Sequence, residues 1–546
     1  METELKLLIA PEHAAALLQH PLLARYAIAA PRAKQQLSVY FDTPAFDISR
    51  RRAGLRVRQI GERFVQTLKA GGGVSGGLHQ RNEWESPVDA MQPDMDALQA
   101  LMQDDLKHGM PALKAIFAPA VADHIAPIFS TRIERTLWDL ELADANRQQI
   151  SEIEFVLDRG AVEHRDLQDP ISEIELELKS GNPCALFDLA LQLLDDIPLQ
   201  IGNRSKAERG YALLAAPAPK QRKVVKARPL SLSGKMNVEQ AFLAVIGNCL
   251  DQIQGNDISA GAHELANIEG GAVETLHQLR VGLRRLRSAF TLFQRVIALP
   301  DDLHQGFGRL AQQIGAARDW DVLSHTTLPQ IAATADATDI SALTAAAAAR
   351  AGQMHEAAAA AMRSSDYTRL MLRFGRWLAG SEWRSGMPPH ALRNLTRPLS
   401  RFAGQQLEHD RKRMQKRGKA MLQAEQAATN DGDNSAASAR HRTRIAAKKL
   451  RYDTEFFSAL YAGSKSRPYL KTLSTLQQEL GTLNDLAVAG ELLAELTESA
   501  EHARLASEVA FVRGYITGMA RSDGQARRAA QRHWTQWKTR ARPWRK

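Results

Sequence analysis

The sequence predicts a protein of two structurally different parts: an N-terminal α+β part dominated by antiparallel strands, and an all-α C-terminal part. Three observations support this prediction. Charged and apolar residues alternate in many segments up to residue 214, apolar residues take helical spacing after about residue 236, and the net charge changes sign between the two regions. A length of 546 residues fits about three domains of ordinary size, so we expect a multidomain protein.

The formal net charge of +10 hides a difference between the two parts. Up to Ala215 there are 23 basic and 31 acidic residues, a net charge of −8, which leaves +18 for the remainder. Residues 216–229 contain three prolines and five basic residues without hydrophobic periodicity, which is typical of an exposed linker. We therefore predict domains at 1–214 and 236–546 joined by a linker at 215–235.

Several classes of protein are excluded by composition. The chain contains no uncharged apolar run of about eighteen residues, and Glu2 and Glu4 lie where a signal peptide would begin with basic residues. We therefore expect a cytoplasmic location. Cys184 and Cys249 are too few for a disulfide framework or a thiolate metal cage, so redox chemistry is not expected. Any bound metal should have oxygen or imidazole ligands.

The strands of the N-terminal part carry their charges on one face. The alternation is clearest at residues 2–7, 55–58, 67–69, 81–85, 152–158 and 173–179. A sheet with one solvated face is the simplest interpretation of any single segment. Taken together, however, carboxylates cluster on three strands and Arg or Lys on others. If the strands closed into a barrel with the charged face inward, a metal-bound polyphosphate would match both walls.

An ordered set of motifs accompanies this alternation. The set consists of Glu2-Thr-Glu-Leu-Lys6, Leu55-Arg-Val-Arg58, Thr67-Leu-Lys69, Arg81-Asn-Glu-Trp-Glu85, Glu173-Ile-Glu-Leu-Glu-Leu-Lys179 and Ser205-Lys-Ala-Glu-Arg-Gly-Tyr211. It resembles the CYTH superfamily, the triphosphate tunnel metalloenzymes, whose signature ExExK is similar to residues 2–6. The resemblance implies an eight-stranded antiparallel barrel that binds a triphosphate group together with divalent cations, Mg²⁺ or Mn²⁺.

The resemblance also implies roles for residues at matching positions. Glu2, Glu4, Lys6, Glu175 and Glu177 are the expected catalytic residues. The expected metal ligands are Glu2, Glu4, Glu173, Glu175 and Glu177, and the expected phosphate-binding residues are Lys6, Arg56, Arg58, Lys69, Arg81, Arg132 and Lys206. Arg132 is the expected residue of its strand, and Arg135 lies close by in the opposite parity. Glu152 and Glu154 are expected in the tunnel wall.

The C-terminal part contains an internal duplication. The segment from His277 to Arg287 is repeated from His441 to Arg451, at an offset of 164 residues. A second motif, Gly315 to Val322, returns at Gly481 to Val488 after 166 residues. Two motifs in the same order at nearly one offset indicate a duplication, so we expect two helical repeats at about 236–400 and 401–546.

Helical geometry places cations of the first motif in one stripe. At about 100° per residue, His277, Arg280, Arg284 and Arg287 fall within a sector of about 80°. Adjacent cations repel one another and are tolerated when solvated or when a polyanion lies along them. Asp319 and Asp485 in the second motif have two possible roles, which are ion pairing with the stripe and helix capping.

Residues 236–546 resemble the CHAD domain, the conserved histidine α-helical domain. The resemblance implies binding of inorganic polyphosphate by His277, Arg280, Arg284, Arg285, Arg287, His441, Arg444, Lys448, Lys449 and Arg451.

We therefore expect a metal-dependent inorganic triphosphatase that hydrolyses tripolyphosphate to pyrophosphate and phosphate, with a polyphosphate-binding helical domain and possible association with polyphosphate granules. The alternatives are an adenylate cyclase, a thiamine or nucleoside triphosphatase using the same tunnel, and a non-catalytic polyphosphate-binding protein. Nucleic-acid binding through the basic part is a less favoured alternative. No membrane partner is expected.

Overall fold

The computed structural model describes residues 2–144, 149–214, 223–259, 271–334, 339–427, 434–498, 504–522 and 524–545. The chain forms two compact units. The first contains Met1–Arg222 and Arg363–Glu382, and the second contains Lys223–Met362 and Trp383–Lys546. The first part of the predicted linker, residues 215–222, lies outside the described residues.

A closed ring of antiparallel strands forms the centre of the first unit. Its strands are β1 (Glu2–Ile9), β2 (Arg32–Asp42), β3 (Ala53–Ile60), β4 (Arg63–Ser75), β5 (Leu78–Val88), β6 (Ala126–Ala143), β7 (Ile150–His164), β8 (Leu167–Ser180) and the short β9 (Leu199–Ile201). They pair in the order β5-β4-β3-β2-β6-β7-β8-β1-β9, and a further pairing of β5 with β1 closes the barrel. The predicted antiparallel barrel is confirmed.

The remaining regular structure is helical. The helices are α1 (Ala14–Leu18), α2 (Pro21–Tyr26), α3 (Met95–Leu101), α4 (Gln103–His108), α5 (Pro119–Ala122), α6 (Cys184–Asp196), α7 (Lys206–Leu214), α8 (Val238–Gly255), α9 (Gly271–Phe293), α10 (Asp301–Val322), α11 (Leu328–Thr334), α12 (Ser341–Arg363), α13 (Ser365–Ala379), α14 (Pro389–Leu395), α15 (Leu399–Ala427), α16 (Asn434–Phe456), α17 (Gly463–Glu498), α18 (Ala506–Ser522) and α19 (Gly524–Thr539). The predicted all-α character of the C-terminal part is confirmed. No helix among the described residues is long and apolar enough to cross a membrane.

The alternation of apolar and charged residues along each strand decides which side chains point into the barrel. Leu55, Val57 and Leu68 point outward and share one buried core with Leu98 and Met102 of α3 and its C-terminus. Successive side chains of a strand point to opposite faces, so the charged residues between these apolar ones face the interior. Covering the outer face with helices is therefore what directs the charges inward.

Helix α13 comes from the middle of the C-terminal sequence but packs within the first unit. The Thr368 hydroxyl donates to the Leu199 carbonyl at 2.8 Å, and Arg376 Nε donates to Asp188 Oδ1 at 2.5 Å. Gly375 lies directly against the Phe187 ring of α6. The predicted domain limits did not separate this helix from the rest of the helical part, because its sequence has the same helical periodicity.

A substitution in α13 should therefore destabilise the barrel unit. A Cβ at position 375 would lie 2.4 Å from Phe187 Cε1, so Gly375→Ala should lower the free energy of unfolding of that unit by about 2 kcal/mol. Gly352→Ala in α12 is the matched control, because a Cβ there meets nothing within 4 Å, and it should be neutral or stabilising by up to about 1 kcal/mol. Urea unfolding is followed by hydrogen exchange at β9 for the barrel unit and at α12 for the second unit. An unchanged stability of the barrel unit in Gly375→Ala would contradict this packing.

Candidate functional site

Three carboxylates and three cations form one network inside the barrel. Its members are Lys6 on β1, Arg135 on β6, Asp158 on β7, Glu173 and Glu175 on β8, and Lys206 at the start of α7. Lys206 Nζ lies 2.7 Å from both Asp158 Oδ2 and Glu175 Oε1. Arg135 donates to Asp158 Oδ1 at 2.8 Å and to Glu175 Oε2 at 2.9 Å. The six charges balance one another.

This balance sets the protonation of the network. Burial alone would raise the pKa of Glu175, but Lys206, Lys6 and Arg135 outweigh burial and hold that pKa well below its ordinary value. Burial alone would lower the pKa of Lys6, but Glu173 and Glu175 raise it well above its ordinary value. Both side chains are therefore charged at neutral pH, and removing one member leaves its buried partners uncompensated.

A row of three carboxylates crosses the same wall at another level. Glu177 on β8 is the register partner of Glu4 on β1 and of Glu154 on β7. Side chains directly opposite on antiparallel strands lie about 5 Å apart at Cβ, and like charges there are destabilising. Lys179 Nζ lies 2.8 Å from Glu177 Oε1, and Lys6 Nζ lies 3.4 Å from Glu4 Oε1. The row therefore keeps an excess of negative charge.

The pKa of Glu177 reflects that excess. Burial raises it, Lys179 opposes the rise, and the nearby Glu2 and Glu154 carboxylates add to it. A divalent cation at this row would remove the repulsion, and carboxylate oxygens are ligands suited to Mg²⁺ or Mn²⁺.

The three carboxylates of the buried network also lie close to one another. Oxygens of Asp158, Glu173 and Glu175 lie within 4.8 Å of one another. Three cations already occupy the space around these oxygens, as described above, although Glu173 Oε2 is buried without a hydrogen-bond partner. The row containing Glu4 and Glu177 therefore fits a cation better than this set does.

The wall formed by β3, β4 and β5 is predominantly cationic. Lys69 Nζ donates to both carboxylate oxygens of Glu2, at 2.8 and 2.7 Å, and lies 3.3 Å from Glu83 Oε1. The Nε atoms of Arg56 and Arg58 are buried without a hydrogen-bond partner. Buried donors of this kind require an acceptor, and phosphate oxygens are good acceptors for guanidinium groups.

Two further residues lie along this wall. Arg81 Nη2 lies 3.6 Å from Glu208 Oε2 on α7, and Arg81 is the register partner of Glu2. Burial raises the pKa of Glu83 to about 7; Lys69 opposes this rise and Glu2 adds to it. The predicted residues Glu2, Arg56, Arg58, Lys69 and Arg81 are therefore brought together by the fold.

The structure corrects the choice of Arg132. Its side chain is 65% exposed and lies 3.8 Å from Glu163, on the outer face of the barrel. Arg135, in the opposite parity of β6, points inward to its register partner Asp158. Asp158 and Arg135 were absent from the predicted site. Asp158 shares its parity with Glu152 and Glu154 and was recognisable by that signal, whereas β6 has no charge alternation that indicates its inner face.

In the second unit the duplicated motifs form equivalent ion pairs. Arg280 Nη1 of α9 donates to Asp319 Oδ1 of α10 at 2.6 Å and to the Gly315 carbonyl at 3.2 Å. Arg444 of α16 donates to Asp485 of α17 at 3.2 Å, and its guanidinium lies against Gly481. Of the two roles considered for Asp319 and Asp485, ion pairing with the stripe is the one observed.

The next cation of each stripe has no such partner. Arg284 and Lys448 occupy equivalent positions of the two repeats, and neither has an ion pair with any described residue. Helices α9 and α16 pack against each other, and the charges of Arg444 and Arg451 act on Arg284, so the two stripes converge. Burial, followed by Arg444, Arg284 and Arg280, lowers the pKa of Lys448 to about 7, against the opposing effect of Asp485.

Two residues predicted in the polyphosphate-binding set point away from this surface. Arg285 is buried and donates to Gln252 at 2.8 Å and to Asn248 at 2.7 Å. Its equivalent in the second repeat, Lys449, lies 3.1 Å from the buried Asp410. Each follows a stripe residue by one position, which turns its side chain about 100° around the helix and into the interior.

The ends of the stripes are more open. His277 is half-buried, and its burial and the nearby Arg318 lower its pKa. His441 and Arg287 are exposed, whereas Arg451 donates to Gln477 Oε1 at 2.9 Å. We refer to Arg280, Arg284, Arg444 and Lys448 as the cationic cluster.

Comparison with known proteins identifies both parts. Residues 1–211 match the family model of the CYTH domain, and residues 244–494 match that of the CHAD domain. The chain therefore contains a CYTH domain followed by a CHAD domain. An inorganic triphosphatase of Haemophilus influenzae is 34% identical over 213 residues, which is 39% of this chain and 54% of that protein. The match thus spans about half the length of this curated relative.

Several solved structures are similar to parts of this chain, and one of them is a CHAD domain from the plant Ricinus communis. It is 38% identical, with a TM-score of 0.46, and the match covers 56% of this chain and 96% of that one. HpAC1 from Hippeastrum, a protein with a dominant triphosphatase activity, is 21% identical with a TM-score of 0.28, and the match covers 39% of this chain and 96% of that one.

The two arginines of β6 provide a test of the inner face. Arg135→Met leaves Asp158 and Glu175 with one cation fewer in a buried position, so it should lower the free energy of unfolding by about 3 kcal/mol. Arg132→Met makes the same change on the outer face and should cost less than about 0.5 kcal/mol. Chemical denaturation measures both, and a larger loss in Arg132→Met would contradict the assigned orientation.

Proposed function

We propose that the CYTH barrel is a metal-dependent inorganic triphosphatase that hydrolyses tripolyphosphate to pyrophosphate and phosphate. The observation that carries this proposal is the arrangement of charge in a closed barrel, where an acidic row with excess negative charge faces arginines with unpaired buried donors. A metal-bound triphosphate matches both. The name of the Haemophilus relative, inorganic triphosphatase, supports the same reaction.

Glu4 and Glu177 are the residues that would hold the metal, with Glu154 beside them. Glu2 is close enough to act on Glu177, but both of its carboxylate oxygens accept hydrogen bonds from Lys69. Glu173 and Glu175 belong to the predicted ligand set, but their contacts favour a different role, which is holding Lys6 and Lys206 in place. When bound, Mg²⁺ or Mn²⁺ supplies charge neutralisation at the phosphate oxygens and lowers the pKa of a coordinated water.

The cations of the barrel would bind the three phosphate groups. Arg56, Arg58, Lys69 and Arg81 line one wall, and Lys6, Arg135 and Lys206 stay charged because the carboxylates around them stabilise their protonated forms. Hydrolysis of a phosphoanhydride requires little covalent help from a protein. It depends on positioning and on stabilising the charge that develops on the transferred phosphoryl group and the leaving group.

Glu4→Gln and Glu177→Gln should each lower phosphate release from tripolyphosphate by about 100-fold or more, because each removes a carboxylate from the acidic row. Glu134→Gln is the matched control, since Glu134 lies on the outer face of the barrel and pairs with Arg159. Release of phosphate from tripolyphosphate, ATP and thiamine triphosphate is measured with Mg²⁺, with Mn²⁺ and with chelator. Release that is selective for tripolyphosphate and lost with chelator supports the proposal.

Two outcomes would contradict this assignment. Faster turnover of ATP or thiamine triphosphate would move the assignment to a different triphosphate substrate of the same barrel. Absence of turnover on all three substrates, with polyphosphate still bound, would make the chain a binding protein.

We further propose that the CHAD unit binds inorganic polyphosphate along the convergent stripes of α9 and α16. Arg284 and Lys448 lack carboxylate partners among the described residues, so a polyanion can neutralise them directly. Arg280 and Arg444 are each held by one aspartate, which orients their guanidinium groups at the edges of the same surface. Arg285 and Lys449 would contribute through packing and not through phosphate contact.

Arg284→Met should weaken polyphosphate binding by about tenfold or more, since a charge-assisted hydrogen bond contributes about 1.5–3 kcal/mol. Arg309→Met, an exposed position on α10, serves as the control for a general loss of charge. Titration calorimetry with polyphosphate of defined length at fixed salt gives both dissociation constants. Equal weakening by the two variants would indicate a non-specific electrostatic effect.

A further inference from the structure

The two repeats of the CHAD unit differ in one residue in the middle of their cationic stripes. Lys448 occupies in the second repeat the position that Arg284 occupies in the first. An arginine side chain stays protonated in a protein, whereas a lysine can lose its proton when it is partly buried or surrounded by cations. The cationic cluster therefore contains three permanent charges and one that can titrate.

The surroundings of Lys448 are strongly cationic. Its neighbours of like charge come from two helices, and the carboxylate that acts on it, Asp485, already accepts a hydrogen bond from Arg444. The carboxylate that α15 presents to this region, Asp410, binds Lys449 instead. The charged groups that act on Lys448 are Arg444 on its own helix, Arg280 and Arg284 on α9, and Asp485 on α17, and His441 and His277 lie further along the stripes.

The balance of these groups makes the lysine sensitive to a ligand. Burial, together with Arg444, Arg284 and Arg280, lowers the pKa of Lys448 to about 7, so its ammonium and amine forms coexist near neutral pH. A polyanion along the stripes neutralises those arginines and places negative charge next to Lys448. Both changes favour the protonated form of the lysine.

We propose that the CHAD unit takes up a proton at Lys448 when it binds a polyanion, so that its affinity for polyphosphate is higher in mildly acidic than in alkaline solution. This inference rests on the proposed function of the unit as a polyphosphate-binding domain. According to this inference, the single residue Lys448 makes ligand binding depend on pH.

The direction of the effect follows from linkage. The free unit loses the Lys448 proton at lower pH than the bound unit does, so the affinity is constant below about pH 7 and falls as the pH rises above it. One coupled proton gives at most about tenfold per pH unit, so the affinity should fall by up to about 30-fold between pH 6 and pH 8.5.

The test uses the full chain and polyphosphate of defined length at constant ionic strength. Titration calorimetry from pH 6 to 8.5 gives the affinity, and two buffers of different ionisation enthalpy at pH 8 give the number of protons taken up on binding. Lys448→Arg is the decisive variant, because arginine is the residue of the equivalent position and keeps the charge without a titration in this range. It should show a flatter pH profile and about one proton fewer at pH 8.

The controls separate other titrating groups. The terminal phosphates of the ligand are the same in the experiments with the wild type and with Lys448→Arg, so the difference between the two proteins reports on position 448. Lys448→Met should bind weakly with the same flat profile as Lys448→Arg, which provides a second variant that cannot take up a proton at this position.

The outcomes distinguish this inference from the proposed function. Tight binding by the wild type with the same pH profile and the same proton uptake as Lys448→Arg would overturn the inference and leave polyphosphate binding intact. Absence of binding at pH 6 by all three proteins would overturn the proposed function of the CHAD unit, and with it the inference.

Discussion

The compensation of buried charge is the constraint on which the rest of this molecule depends. Inside the barrel, Lys6, Arg135 and Lys206 are surrounded by Asp158, Glu173 and Glu175, and each ion is stable in the interior only because the others are present. The helices that cover the apolar outer faces of the strands impose this situation, since they force the alternate charged residues into the lumen. A barrel built in this way has little freedom to lose any one of these six side chains.

Where charged side chains lack enough partners of opposite charge, their arrangement favours a bound ligand. The row of Glu4, Glu154 and Glu177 has more negative charge than its lysines balance, and the Nε atoms of Arg56 and Arg58 are buried without acceptors. In the CHAD unit the imbalance has the opposite sign, at Arg284 and Lys448. The two units thus differ in their charge, with a mixed acidic and basic interior in the barrel and a basic surface in the CHAD unit, and the ligands proposed above differ accordingly.

Much of the candidate site was predictable because strand alternation and motif order are local properties of the sequence. The positions of Glu2, Glu4 and Lys6 on β1 follow directly from their spacing. Arg132 was wrong for a reason that no single strand reveals, since β6 contains charged residues in both parities and only its register with Asp158 selects Arg135 as the inner one. Arg285 and Lys449 were misplaced in a similar way, because helical spacing defines a stripe but not how wide a sector the neighbouring helices leave open.

By itself, the sequence determined the two fold classes, the duplication and most of the charged residues of the candidate sites. Periodicity, composition and repeat offsets are properties of the linear sequence. Only the tertiary structure decided which charges meet. Closure of β5 on β1, the inclusion of α13 in the barrel unit, and the convergence of the stripes of α9 and α16 all depend on contacts between residues far apart in sequence. The physical reason is that the free energy of a buried ion depends on its neighbours in space, which the order of residues alone does not contain.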